Sequence, residues 1–235
     1  MRFLLRVDDF GLSHREGERV PDKLPDVGCE IARRFHDAMS GLPYLAAVVP
    51  AALDEAGGAW IRSRPAGMTV ALHGWDHSTR GTVHNEFHGL TMTEMRDKIA
   101  AGYKIVGGCK WFIPTFNACE EGLFEACWHE SIRFVCGAPS YWPTPPQPWS
   151  VYRDVLFVPS WALTYGATGW QQGKNGPPPL LETVPMLLNL PGLAVLTLHV
   201  NWESAKDAEF KGVRALAEVL RGHVVTPEEF VRERR

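Results

Sequence analysis

Short apolar runs and stretches with apolar residues at helical spacing alternate along most of this chain. Arg2 to Val7 predicts a first buried strand, which stops at Asp8-Asp9-Phe10-Gly11, read as a loop. Ser13 to Pro25 is polar, with prolines at 21 and 25, and predicts a further loop. Val27, Ile31, Ala32, Phe35 and Ala38 fall on one helical face and predict a helix over 26–39, stopped by Gly41. Tyr44 to Val49, Met68 to Leu72, Trp111 to Thr115, Ile132 to Cys136, Val155 to Val158 and Leu193 to Leu198 predict further strands. Helices are predicted between them, over 51–62, from Thr91 to about Val106, over 119–130, over 180–190 despite Pro185, and over 204–220. Thr91 with Glu94 three residues on makes a capping box. Phe210, Val213, Leu216, Ala217 and Leu220 form the apolar stripe of the last of these helices. His223 to Val225 predicts a short final strand, and Thr226-Pro227-Glu228-Glu229 caps a terminal helix.

Strands that alternate with helices pair in parallel, which defines an α/β class. Seven or eight such units in 235 residues fit a barrel better than an open sheet, because an eight-unit barrel takes about 250 residues. The expectation is one domain over 1–235, a distorted (β/α)7 TIM-like barrel, with no linker and no repeat. Residues 137–149, rich in proline, and 164–179, rich in glycine and ending in Pro177-Pro178-Pro179, are expected to be loops near a site mouth.

A net charge of −3 and the absence of a Lys/Arg cluster exclude a nucleic-acid partner. No run of about 20 apolar residues is present to span a membrane. The first nine residues become charged too quickly for a signal peptide, and the five cysteines, Cys29, Cys109, Cys119, Cys127 and Cys136, form no Cys-x-x-Cys pair. A cytoplasmic protein with reduced, mostly buried thiols is expected.

In barrels of this kind, reactive groups collect at the carboxyl ends of strands. Asp8 and Asp9 end the first strand, His73 and His77 the third, Pro114 to Asn117 the fourth, and His199 the seventh. Four strand ends therefore deliver polar or titratable groups to one rim. On a helical turn, the four-residue spacing of His73 and His77 would place both imidazoles on one face, as in zinc-peptidase helices. Two His and one Asp make a three-donor site that leaves a position open, the catalytic kind of zinc centre. Such a metal lowers the pKa of water to about 7 and polarises a carbonyl. One Asp is then spare for base work, and His199 for acid work.

These residues carry a resemblance. The chain resembles the polysaccharide deacetylases of carbohydrate esterase family 4, and among them the deacetylase-like branch. Val7-Asp8-Asp9 matches the family's first motif, His73-x-x-x-His77 its second, and Leu196-Thr197-Leu198-His199 its last. The resemblance implies Asp8 as general base, Asp9, His73 and His77 as metal ligands, and His199 as general acid. It also implies a distorted seven-stranded barrel. In the third motif the chain departs: Phe112 in Phe112-Ile113-Pro114 stands where the family has an arginine that orients the catalytic Asp. The opening Asp8-Asp9-Phe10-Gly11-Leu12-Ser13 also resembles the chitooligosaccharide deacetylases, which lack the His-x-x-x-His and rank second. Asp-Phe-Gly occurs in kinases too, but no glycine-rich phosphate loop accompanies it here.

The expected activity is metal-dependent removal of an acetyl group from an N-acetylated sugar or related small amide. The alternatives are an O-acetyl esterase on the same site, or an inactive, metal-retaining carbohydrate-binding protein. Zn²⁺ is the expected metal, with Co²⁺, Mn²⁺ or Fe²⁺ also suited to His₂Asp. The expected partner is a small acetylated molecule or oligosaccharide; the oligomeric state is left open. Trp75, Pro114, Asn117 and Trp202 are candidate substrate contacts, the two tryptophans as a stacking wall. His84 and His88 are read as a solvated loop, with Glu86-Phe87 between them near the substrate. His14 is weighed as a rim residue, and the reading without a role is preferred. His36, His129, His223 and Trp142 are read as structural.

Overall fold

A computed structural model describes residues 1–13, 24–80, 82–119, 122–137, 151–160, 167 and 179–233. His14, Trp142 and most of the two Pro/Gly-rich stretches lie outside the described residues. In chain order the strands are β1 (Arg2–Phe10), β2 (Leu12–Ser13), β3 (Leu24–Pro25), β4 (Tyr44–Val48), β5 (Met68–Leu72), β6 (Trp111–Phe112), β7 (Phe134–Gly137), β8 (Val151–Tyr152), β9 (Val155–Pro159) and β10 (Leu193–His199). The helices are α1 (Glu30–Ala38), α2 (Glu55–Arg62), α3 (Met92–Ile105), α4 (Leu123–His129), α5 (Leu180–Leu187), α6 (Val200–Lys206), α7 (Lys211–Leu220) and α8 (Pro227–Arg232).

One sheet runs in the order β10-β1-β4-β5-β6-β7-β9-β8. Every pairing is parallel except β8 on β9. Among the described residues no ladder joins the two edges, so the barrel is distorted rather than fully hydrogen-bonded. The fold is thus the α/β, seven-parallel-strand arrangement expected from the alternation of patterns.

Side-chain parity divides the core in two. Phe3, Leu5, Val7, Leu72 and Phe112 face the helices, in the larger apolar cluster. Leu4, Leu45, Ala47, Ala71, Trp111, Ile113, Cys136, Val158 and Val195 fill the barrel interior. From the strand-start side, α8 adds Phe230 and Val231 to that interior. The predicted capping box at Thr91/Glu94 is formed, and the predicted cap of the terminal helix is also a capping box, Thr226 with Glu229.

Several expected boundaries move. The 204–220 helix is two helices, α6 and α7, broken where Phe210 takes φ 54 and Asp207 accepts a bond from Gly212 N–H. Its apolar stripe starts at Phe210, so the pattern was legible while the break was not. The 26–39 segment opens with a turn at Val27–Cys29, left-handed at Gly28 and Cys29, before α1, and the 51–62 segment with a 3-10 turn at Pro50–Ala52 before α2. The 223–225 strand is a single bridge between Phe3 and Val224. The fourth strand stops at Phe112, followed by a tight turn at Thr115–Asn117 with Phe116 and Asn117 left-handed. The first strand runs past the two acids to Phe10 instead of ending before them.

Candidate metal centre

Strand parity alone would send Asp8 and Asp9 to opposite faces of β1. Arg6 and Asp8 share the inward face with Leu4. Asp9 has φ 68, a left-handed conformation that Asp tolerates better than most residues. At the same place the pairing of β1 with β4 shifts register between Val7 and Phe10. This irregularity swings Asp9 off the outward face to the rim, as bulges beside active sites do.

His73 follows β5 and shares the inward parity of Ala71. Its backbone N–H donates to Val48 O at 2.7 Å, extending the ladder by one step. Its Nδ1 lies 3.0 Å from Ile113 O, which places the proton on Nδ1 and leaves the Nε2 lone pair for the site. His77 is not one helical turn from it. The chain between them is a loop, with Gly74 at φ 64 and His77 at φ 56. A Cβ on Gly74 would collide with the Glu86 carboxylate and come within 2.7 Å of Thr115 Cγ2, so only glycine fits. The imidazoles converge through this turn, with ring centroids 4.9 Å apart.

Glu86 builds the turn. It is fully buried and accepts from the backbone N–H groups of Trp75 (2.8 Å), Asp76 (3.4 Å) and His77 (3.1 Å). Lys98 of α3 lies 3.4 Å from Glu86 and 3.2 Å from Asp76. Burial pushes the Glu86 carboxyl up, with Asp76 adding to the rise and Lys98 and the backbone N–H groups opposing it. Glu86 was expected near the substrate; it is instead a buried brace behind the turn that carries the two histidines, and Phe87 is core, edge-on to Phe112.

Asp9 Oδ1 lies 3.5 Å from His73 Nε2 and 3.2 Å from His77 Nε2. The three donor atoms lie within 4.8 Å of one another, and all three residues are buried. Among the described residues Asp9 Oδ1 has no hydrogen-bond partner. A buried carboxylate oxygen without a donor, facing two imidazole nitrogens, suits a cation between the three. Burial raises the Asp9 carboxyl, but the two imidazoles outweigh it and hold it well below the ordinary range. The donor set fits a divalent metal that takes nitrogen and oxygen ligands.

Asp8 and His199 stand beside this trio. β10 pairs with β1 so that His199 is the register partner of Asp8, and His199 Nε2 is 3.9 Å from Asp8 Oδ2. They are therefore neighbours on adjacent strands, although 191 positions apart in the sequence. Burial pushes the His199 imidazole down, against the pull of Asp9 and Asp8.

Phe112 packs outward among the helices, away from Asp8. Arg6 instead grips Asp8 with two bonds, Nε to Oδ1 at 2.8 Å and Nη2 to Oδ2 at 2.5 Å. Its Nη1 donates to Asn117 Oδ1 at 2.8 Å. Burial raises the Asp8 carboxyl, but Arg6 above all, with His73 and His199, holds it below its usual value. Asn117, expected to touch substrate, thus has its side-chain oxygen on Arg6. Pro114 is buried at the start of the Thr115–Asn117 turn. Trp75, in the turn that carries the two histidines, and Trp202, on α6, are half-buried. His84 is exposed, yet its ring meets Phe116 (5.2 Å), which in turn meets His77 (4.5 Å).

The parallel α/β barrel with an Asp-His-His cluster on its strand-end rim defines the class: a fold built around a rim site. Solved structures place it further. A family 4 carbohydrate esterase from Streptomyces lividans, in complex with acetate, superposes with a TM-score of 0.56 at 15% identity, over 96% of this chain and 91% of that one. An allantoinase matches with a TM-score of 0.64 at 12% identity, over 98% and 88%. A family 4 pseudoenzyme from Bacillus anthracis matches with a TM-score of 0.56 at 12% identity, over 98% and 65%. The chain has the fold of the carbohydrate esterase family 4 deacetylases. No protein-family description matches its sequence, and no curated protein sequence does.

Proposed function

We propose that this chain is a metal-dependent hydrolase that removes an acetyl group from an N-acetylated sugar or a related small amide. The observation that carries the reading is Asp9 Oδ1, buried and, among the described residues, without a hydrogen-bond partner, facing His73 Nε2 and His77 Nε2. Asp9, His73 and His77 would hold the metal, Zn²⁺ by its preference for such an open three-ligand site. When bound, it supplies Lewis acidity to the amide carbonyl and to water. Asp8, ionised beside the ligand Asp9, accepts the proton that water releases on attack. His199, 3.9 Å from Asp8, takes that proton on and delivers it to the leaving nitrogen, which returns both groups to their starting states; an amine anion is too poor a leaving group to depart unprotonated. The half-buried Trp75 and Trp202 are assigned to the sugar-facing wall.

The same fold serves an esterase, an allantoinase and a pseudoenzyme, so the site and not the fold must carry the assignment. The inactive, carbohydrate-binding alternative is disfavoured by an intact set of three donors with a carboxylate and an imidazole beside it. A cytoplasmic location is part of the proposal and is supported by the five cysteines, all free of disulfides. No helix among the described residues is long and apolar enough to cross a membrane.

The test is acetate release from N-acetylglucosamine oligomers by zinc-loaded protein, with free-amine formation followed in parallel. Matched acetate and amine, both abolished by a chelator, are expected. Acetate without amine would move the reading to an O-acetyl esterase. Binding without either product would establish the binding protein.

A further inference from the structure

Beneath the rim the barrel is lined mostly by Leu4, Leu45, Ala47, Ala71, Val158 and Val195. A guanidinium stands among them. Arg6 is 1% exposed and Asp8 is 2% exposed. Replacing a buried ion pair by packed apolar side chains is often neutral or stabilising, so stability does not explain why this pair sits here. Its geometry does. Arg6 and Asp8 are two apart on one strand, so they share a face, and the flat fork meets the flat carboxylate through two bonds. That contact fixes the plane of the carboxylate, which an isolated Asp would leave free to rotate about χ2. Asp8 Oδ2, one of the gripped oxygens, is the one 3.9 Å from His199 Nε2. The fork is fixed in turn. Its third nitrogen is held by Asn117, whose backbone at φ 56 follows Phe116 at φ 55. Two successive left-handed residues other than glycine are a strained arrangement of the kind that clusters at working sites.

We propose that Arg6, braced by Asn117, is the positioning residue of this site: it sets the orientation of the Asp8 carboxylate toward His199. The inference rests on the proposed base role of Asp8. Arg6 lies two residues from its target on the same strand, so no residue of β6 need reach across the barrel. Asn117 carries the tie to the β6 rim instead, and through its neighbour Phe116 to the ring of His77.

The experiment compares Arg6→Met, Arg6→Lys and Arg6→Met/Asp8→Asn with wild-type and Asp8→Asn holoenzyme. Metal content, kcat and KM are measured for each. Arg6→Met keeps the stem's bulk, and should hold its metal, leave KM nearly unchanged and lose about 10²-fold in kcat, the cost of a small misplacement. Arg6→Lys keeps the charge without the fork, and should recover little of that kcat. The double variant should be no slower than Asp8→Asn alone, since Arg6 acts through Asp8. Unchanged kcat in Arg6→Met, full recovery in Arg6→Lys, or a further loss in the double variant would each overturn the proposal.

A second readout does not need turnover. Millimolar ethylguanidinium should raise the melting temperature of Arg6→Ala and leave Arg6→Ala/Asp8→Asn unmoved. An equal effect on both would contradict a specific Asp8 partnership. If wild type turns over no acetylated substrate, the functional reading fails while this arm still reports the pairing. If wild type turns over and the Arg6 variants keep kcat, the Arg6 proposal alone fails. Should Arg6→Met fail to fold, Asn117→Ala takes its place: it removes only the brace, and should lower kcat with metal content and KM maintained; unchanged kcat there would likewise overturn the proposal.

Discussion

Asp8 and Asp9 are adjacent in sequence yet have different partners, and the left-handed backbone at Asp9 separates them. Asp9 meets the two imidazoles; Asp8 meets Arg6 and His199. The division makes separable predictions. Asp8→Asn and His199→Ala should each keep bound metal while losing at least about 10²-fold in kcat on an amide, the low end for a proton-transfer role. On an ester, whose leaving group departs more easily, His199→Ala should lose much less. Parallel kinetics on the two substrates check this; near-normal amide turnover by His199→Ala would remove it from the mechanism. The rim residues were legible in the sequence because each ends a strand-like apolar run, and such runs need no tertiary knowledge to recognise. Arg6 was less so. Its spacing from Asp8 was visible, but an arginine inside a strand reads as a surface residue until the barrel closes over it.

At the scale of elements, the turn that carries the two histidines depends on a residue further along the same β5–α3 connection. Glu86 gathers three backbone N–H groups of the turn between the histidines. Glu86→Gln keeps an acceptor but loses the charge that Lys98 balances. Metal affinity, titrated into apo protein, should fall about 10–100-fold, the usual size for an outer-shell change; unchanged affinity would mean the turn holds its shape alone. No sequence pattern announced this role, because a lone acid in a polar loop looks solvated. The α6–α7 break was hidden for a related reason: the apolar stripe belongs to α7, while α6 is held at the rim by its burial next to His199. Within α6, Glu203 accepts from Ala167 N–H at 2.8 Å, and burial pushes its carboxyl up to about 7. Its folded value exceeds the ordinary one of 4.5, so the folded chain binds the extra proton between these values. Stability from this group is therefore full below about pH 4.5 and declines as the pH rises to about 7, by at most about 3 kcal/mol. Glu203→Gln should abolish that decline. Melting temperatures across this window check it; parallel wild-type and variant curves would contradict it.

Over the whole molecule, parity inside the barrel links architecture to chemistry. The same alternation that points Leu4, Ala71 and Val195 inward points Arg6, Asp8, His73 and His199 inward one or two steps later, at the strand ends. Fold class was legible from repeated alternation of strand and helix patterns. The turns were not, because left-handed residues such as His77, Phe116 and Asn117 are stabilised by contacts between distant segments rather than by local propensity. The His73–His77 spacing likewise suggested a helix, whereas a loop bent around Gly74 brings the rings together.

The claim on which the account turns is that Asp9, His73 and His77 form one metal site, and elemental analysis tests it most directly. Wild-type protein dialysed after zinc loading should retain about one metal per chain, as a single three-ligand site implies, and His73→Ala treated identically should retain none. Full occupancy in His73→Ala would contradict the assignment.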